Sequence, residues 1–246
     1  MDVNDFINGY HEAFSMMAEL PVAIWYSDVE FGQKVKTSGC MFKAMNQVRN
    51  GEPVSFDSDS LGCRGGKFYC GFATMNPNMP KFVSEIERYK DSPESIIEYI
   101  SNKNVLAASG KYLNFARVDC LKSFDGIEGL VFFANPDVLS GLCAWAFYDN
   151  NEPSAVSVNF FSGCGSIITQ LVAENRKGGR STFLGMTDIS ARKYFEPNVM
   201  SFAIPMSRMK EMWETLPKSF LIGKHHDWTF VKQRISNSSF DQTPKN

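Results

Sequence analysis

The sequence predicts an α/β or α+β fold in which two pseudo-symmetric αβ repeats share a mixed sheet and one core. Three observations carry this. Short apolar runs of strand length alternate with helical stretches along the 246 residues. The tripeptide Ser38-Gly39-Cys40 returns as Ser162-Gly163-Cys164, each time after an apolar run and at the start of a helical pattern. Downstream of each copy comes Gly-Gly-basic, as Gly65-Gly66-Lys67 and Gly178-Gly179-Arg180, and then a Gly before an apolar residue, Gly71-Phe72 and Gly185-Met186. Three elements in one order suggest a duplication, with residues 1–126 as the first repeat, 127–235 as the second and 236–246 as a polar tail.

The elements follow in chain order. Val3, Phe6, Ile7, Tyr10, Phe14 and Met17 fall on one helical face, and Leu20-Pro21 ends that helix. Residues 21–26 (PVAIWY) read as a buried strand. Ser38-Gly39-Cys40 opens a helix to about Arg49, which Asn50-Gly51 closes. Residues 53–56 read as a strand, and 57–72, dense in Gly, as a loop. Residues 81–90 and 93–101 are helical, the second capped by Asp91-Ser92 with Pro93 in its first turn. Residues 112–118 read as a strand.

The second half keeps the rhythm. Residues 129–134 form a strand, and Asn135 caps a helix that has Pro136 first and runs to about Tyr148. Residues 155–161 alternate like a strand, and Ser162 starts a helix to about Arg176. A strand at 181–185, a helix at 189–195, a strand at 199–204 and a helix at 207–216 complete the pattern. The tail from 236 on is polar and expected to fray.

Composition narrows the function. The formal charge is −2, which lacks the electrostatic footprint of a dedicated nucleic-acid binder. The longest uncharged stretch, 154–173, carries Ser, Asn, Gln and Thr with Gly163 and Gly165 at its centre, so it reads as strand, turn and helix start rather than a membrane span. The N-terminus has neither a basic nor an apolar leader pattern, so the protein is expected to be cytoplasmic. The six Cys are then free thiols, metal ligands or redox groups rather than bridges.

Two residue sets could carry chemistry. Cys40 and Cys164 sit at expected helix N-termini, where the dipole favours a thiolate, and Cys63 neighbours Arg64. Together with Cys70 they could hold an iron–sulfur cluster or zinc, act as reactive thiols, or simply pack; no C-x2-C spacing decides between these. Cys120 and Cys143 belong to the core. The Gly-Gly-basic segments with Arg64, Gly65, Gly66 and Lys67, and with Gly178, Gly179 and Arg180, could cradle an anion through backbone N–H groups and cations. The plainer reading is a tight turn with a solvated cation. His225-His226 reads as a surface pair on a strand, its rings on opposite faces.

In its order of short motifs the chain resembles the prokaryotic ArCR family of unknown function. These are Pro21-Val22-Ala23, Cys40 with Lys43-Ala44, Leu61-Gly62-Cys63 before Gly65-Gly66, Phe133-Ala134-Asn135-Pro136, Gly163-Cys164 and Phe202-Ala203-Ile204-Pro205. The resemblance spans nearly the whole chain. It implies a soluble protein, carries over no activity, and marks Cys40, Cys63 and Cys164 as family positions. The leading expectation is a protein that binds a small anionic molecule or cofactor in a cleft between the repeats, with no nucleic acid and no membrane as partner. A thiol- or metal-dependent enzyme and an interaction protein are the alternatives.

Overall fold

The computed structural model describes residues 1–159 and 162–237. In chain order these form α1 (Val3–Ala13), β1 (Val22–Ser27), β2 (Gln33–Lys34), α2 (Met45–Arg49), β3 (Val54–Phe56), α3 (Arg64–Tyr69), α4 (Met79–Lys81), α5 (Pro93–Ser101), β4 (Tyr112–Arg117), β5 (Gly129–Ala134) and α6 (Pro136–Phe147). Then come β6 (Val156–Ser157), α7 (Gln170–Arg176), β7 (Thr182–Gly185), α8 (Ile189–Arg192), β8 (Met200–Pro205), α9 (Met206–Thr215) and α10 (His226–Asn237). The strands make one mixed sheet in the order β2-β3-β4-β1-β5-β8-β7-β6. Among the described residues only β2 with β3 and β6 with β7 run parallel, and every other ladder is antiparallel.

Strand alternation sends successive side chains to opposite faces. Val22 and Ile24 join one apolar layer while Ala23 and Trp25 join the other. The sheet therefore separates two apolar layers, which corrects the expectation of one core. The first lies under α1, α6, α9 and α10 and holds Phe6, Tyr10, Phe132, Trp145 and Trp228. The second lies under α2, α7 and α8 and holds Phe42, Phe56, Phe115, Phe133 and Leu171.

Three local expectations need correction. The stretch 57–72 is not all loop: Gly65-Gly66-Lys67 lies inside α3, which Cys63 caps by accepting the Gly66 N–H at 3.3 Å. The Gly-Gly segments therefore differ in place, since Gly65-Gly66 follow β3 whereas Gly178-Gly179 precede β7, where Gly178 takes φ +66° to end α7. His225-His226 does not lie on a strand. His226 opens α10 with its side chain exposed, and the His225 ring accepts the Trp228 N–H. Of the strand expected at 155–161 only Val156–Ser157 forms, as β6, while Ala155 ends a 3-10 turn; residues 160 and 161, like the tail from 238 on, lie outside the described residues.

Arg49 ties the two halves at one edge of the second layer. Its guanidinium pairs with Glu19 at 2.7 and 2.9 Å and with Glu196 at 3.0 Å, and it lies 5.5 Å over the Phe133 ring. Burial pushes the Glu19 carboxyl up against the pull of Arg49. Replacing Arg49 with Met strands that carboxylate, and the expected loss by urea unfolding at pH 7 is about 3–5 kcal/mol. A carboxyl raised in the fold contributes its stability below its unfolded value and loses it as pH rises. The Arg49→Met deficit should therefore shrink as pH is lowered toward about 4.3; a deficit independent of pH would contradict this.

Candidate functional site

Helical N-termini collect at one place on the second-layer side. Gly163 starts a helical segment that passes through a π turn at Gly165–Thr169 into α7, with Ser162 Oγ accepting the Gly165 N–H at 3.0 Å. Asp188 joins this end to α8. Its Oδ2 accepts the Gly163 N–H at 2.9 Å, and its Oδ1 accepts the Ser190 N–H at 2.9 Å. Its carboxylate thus serves two helix starts at once. Gly163 has to be glycine here, because a Cβ would stand 2.5 Å from the Phe42 ring and 2.9 Å from Ala191. The third N-terminus belongs to α3 behind its Cys63 cap. The Tyr69 carbonyl accepts the Thr169 hydroxyl at 2.7 Å and fastens α3 to the π turn.

These ends border a cavity of about 530 Å³. One wall is α3 with Cys63, Arg64, Gly65 and Tyr69; the floor is Ser162, Asp188 and Ser190. The opposite wall comes from the segment between β3 and β4, where Met79, Phe82, Val83, Ile96 and Ile100 present apolar surface beside Glu87, Lys90 and Tyr99. Lys90 and Lys103 lie 5.0 and 4.7 Å from the centre of the Tyr99 ring. Burial pushes the Glu87 carboxyl up, with Asp188 adding to it, and pushes the Tyr69 hydroxyl up to about 12. The cavity has a polar, helix-capped end and an apolar end, a common arrangement for small-molecule sites.

The candidate cysteines converge behind this wall. A Cβ built on Gly66 would lie 3.7 Å from Cys63 Sγ and 3.9 Å from Cys164 Sγ, and Cys70 Sγ is 4.0 Å from Met41 Sδ. An activated thiolate was one of the open readings, and the thiols move the other way. Burial pushes Cys40 up to about 12, with Cys164 adding to it, and burial raises Cys63 despite the Gly66 N–H. A hydrogen bond with Cys70, then burial, holds Cys164 well above the ordinary thiol range. Among the described residues no group of three or more His, Cys, Asp or Glu is set to hold a metal ion, so the iron–sulfur and zinc expectations gain no support. Cys120 and Cys143 are half-buried against the first layer.

The two basic segments are not brought together. Arg64 and Gly65 line the cavity, and Gly66 and Lys67 follow in the same helix. Gly178, Gly179 and Arg180 are not among its lining residues. Arg180 is held by Glu211 at 2.8 Å and Asp149 at 2.9 Å, both of which also bind the buried Arg208. Sequence reasoning missed Asp188, Ser162 and Ser190. The one signal available was Asp188 before an expected helix start, an N-cap pattern.

The family model described as Uncharacterised ArCR matches residues 16–215. That span starts after α1, ends with the last residue of α9 and contains the whole sheet and the cavity. No curated protein and no solved structure matches the chain. No helix among the described residues is long and apolar enough to cross a membrane.

Two expectations follow from this geometry. Asp188→Ala removes the acceptor of two helix-end N–H groups, and equilibrium unfolding should show a loss of about 1–3 kcal/mol, with Asp188→Asn losing less; equal losses would show that the caps are not what Asp188 supplies. Iodoacetamide at pH 7 should alkylate Cys40, Cys63 and Cys164 more slowly than a free cysteine of pKa about 8.5, with rates climbing as pH is raised. Faster alkylation at pH 7 would restore the activated-thiolate reading.

Proposed function

The chain belongs to the Uncharacterised ArCR family, and we propose that it binds a small ligand with an anionic head and an apolar body in the cleft between two repeats. The observation that carries this is the convergence of three helix N-termini on a cavity whose far wall is apolar. Backbone N–H groups and the dipole favour an anion at such ends. Arg64, with Gly65, Gly66 and Lys67, supplies the cationic side, and a guanidinium suits a carboxylate or phosphate. Met79, Phe82, Ile96 and Ile100 offer the surface for the body. Gly178, Gly179 and Arg180 take no part in this reading, because two carboxylates already claim Arg180.

The repeats of the proposal rest on strand register. Laying Val22 of β1 on Gly129 of β5 makes each ladder of one half correspond to a ladder of the other. Val22↔Arg117 falls on Gly129↔Pro205, and Val54↔Phe115 on Phe183↔Ala203. The shift that carries Gln33 to Ser157, opposite Val54 and Phe183 in their parallel ladders, also carries Cys40 to Cys164. The Ser-Gly-Cys recurrence and the sheet thus agree, while the Gly-Gly-basic recurrence drops out.

Thermal unfolding with phosphate, benzoate and 2-naphthoate tests the ligand class. A ligand at a hundred times its Kd stabilises the fold by about 2.7 kcal/mol. The naphthoate should raise Tm most, because it fills the apolar end as well, and Arg64→Met should lose that gain. If none of the three probes raises the wild-type Tm, or if Arg64→Met gains as much, the reading fails.

A further inference from the structure

We propose that Cys63 and Cys164 form a redox pair in which a hydroperoxide entering the cavity is reduced and the two thiols close into a disulfide across Gly66. The inference uses the cavity as the way in and does not depend on what the cavity binds. Cys63 is half-buried and lines the cavity, so a small oxidant reaches it first. Cys164 is buried behind it. Both sulfurs lie within 4 Å of one point above the Gly66 Cα, and that point is open because residue 66 has no side chain. Two further thiols adjoin the pair: Cys70 hydrogen-bonds to Cys164, and Cys40 lies near enough to both for charge on one to be felt by the others.

The chemistry balances. The Cys63 thiolate attacks the terminal oxygen of the hydroperoxide and the O–O bond breaks. The leaving oxygen takes the proton that Cys63 gave up and departs as water or an alcohol, and Cys63 becomes the sulfenic acid. The Cys164 sulfur then attacks the Cys63 sulfur. The S–O bond breaks, the hydroxyl leaves as water with the Cys164 proton, and the S–S bond forms. Two thiols lose two electrons and one hydroperoxide gains them. The Gly66 N–H, donated to Cys63 Sγ at 3.3 Å, supports the first thiolate. Closing the bond turns that sulfur toward Cys164 and away from the α3 cap.

Hydrogen peroxide on the full chain at pH 8.5 tests this, followed by alkylation and non-reducing peptide mass mapping. The expected product is a Cys63–Cys164 linked peptide within one chain. In Cys164→Ser the reaction should stop at a Cys63 sulfenic acid that dimedone traps. Gly66→Ala keeps the fold, because its Cβ meets both sulfurs at ordinary contact distances and alanine favours a helix over glycine. It also stands between the sulfurs, and disulfide formation should slow by about tenfold or more, since misplacing reacting atoms by an ångström costs up to roughly a hundredfold. Recovery of Cys70–Cys164 as the linkage, all six thiols still alkylatable after peroxide, no dimedone adduct in Cys164→Ser, or unchanged closure in Gly66→Ala would each overturn the proposal.

Discussion

The antiparallel ladder of β1 with β5 is the contact on which the rest of the structure depends. Val22 opposite Val131, Ala23 opposite Leu130 and Ile24 opposite Gly129 join four strands on one side to four on the other. Without it each set would expose an edge and two half-covered faces. Gly129 sets how closely the second layer approaches. A Cβ there would stand 2.6 Å from the Ile204 carbonyl oxygen and 2.7 Å from the Leu171 methyls. A glycine in a strand interior costs stability unless something comes close to it, and here α7 does. The position of α7 fixes the π turn and Cys164 before it, and Asp188 then fixes α8 against the same end. The cavity is the space left between that end and α3.

Two forces compete at the helix ends, and their sizes decide the outcome for different groups. A helix N-terminus favours a negative charge by about 0.3–1 kcal/mol. One pKa unit is worth about 1.36 kcal/mol, and full burial can shift a group by several units. For Cys40 burial wins, and for Cys164 the hydrogen bond with Cys70 and then burial, so both thiols move up where the sequence suggested thiolates. Asp188 accepts several hydrogen bonds through its two carboxyl oxygens, so it settles at the same ends as a cap. A ligand anion would meet the same N-termini without bringing a thiol's cost of ionisation.

Much of the sheet was legible because strand patterns are local. The runs at 21–26, 129–134 and 199–204 lie within a residue or so of β1, β5 and β8. The misreadings were of another kind. Gly65-Gly66 in isolation favours a turn, each glycine costing a helix about 1 kcal/mol. The Cys63 cap and the Tyr69–Thr169 hydrogen bond come from tertiary structure and override it. Arg180 looked available because its partners Asp149 and Glu211 are remote in sequence and are gathered by the buried Arg208. Cys40, Cys63, Cys70 and Cys164 lie near one another, yet the sign of the thiol shifts depended on burial and on contacts remote in sequence, which no local motif reports. The single core was expected of two repeats sharing one interior, and a sheet apolar on both faces gives two layers.

The proposed duplication also explains why the cleft is one-sided. Laying β3 on β7 and β4 on β8 puts residues 57–111 opposite residues 186–199, so the first half carries far more chain between its last two strands. That extra chain contains α3, α4, a π turn at Phe82–Ile86 and α5. Between β7 and β8 the second half has only α8. Two equal halves about a two-fold would offer two equal clefts, one at each Ser-Gly-Cys helix. Here α3 and α5 wall the end at Ser162 and Asp188, and the matching end at Cys40 packs against the second apolar layer. In the proposed duplication the shared register builds the platform, and the insertion makes one end of it the proposed site. The apolar wall belongs wholly to the insertion, while the floor of Ser162, Asp188 and Ser190 belongs to the other half. A ligand bound there would bridge the two.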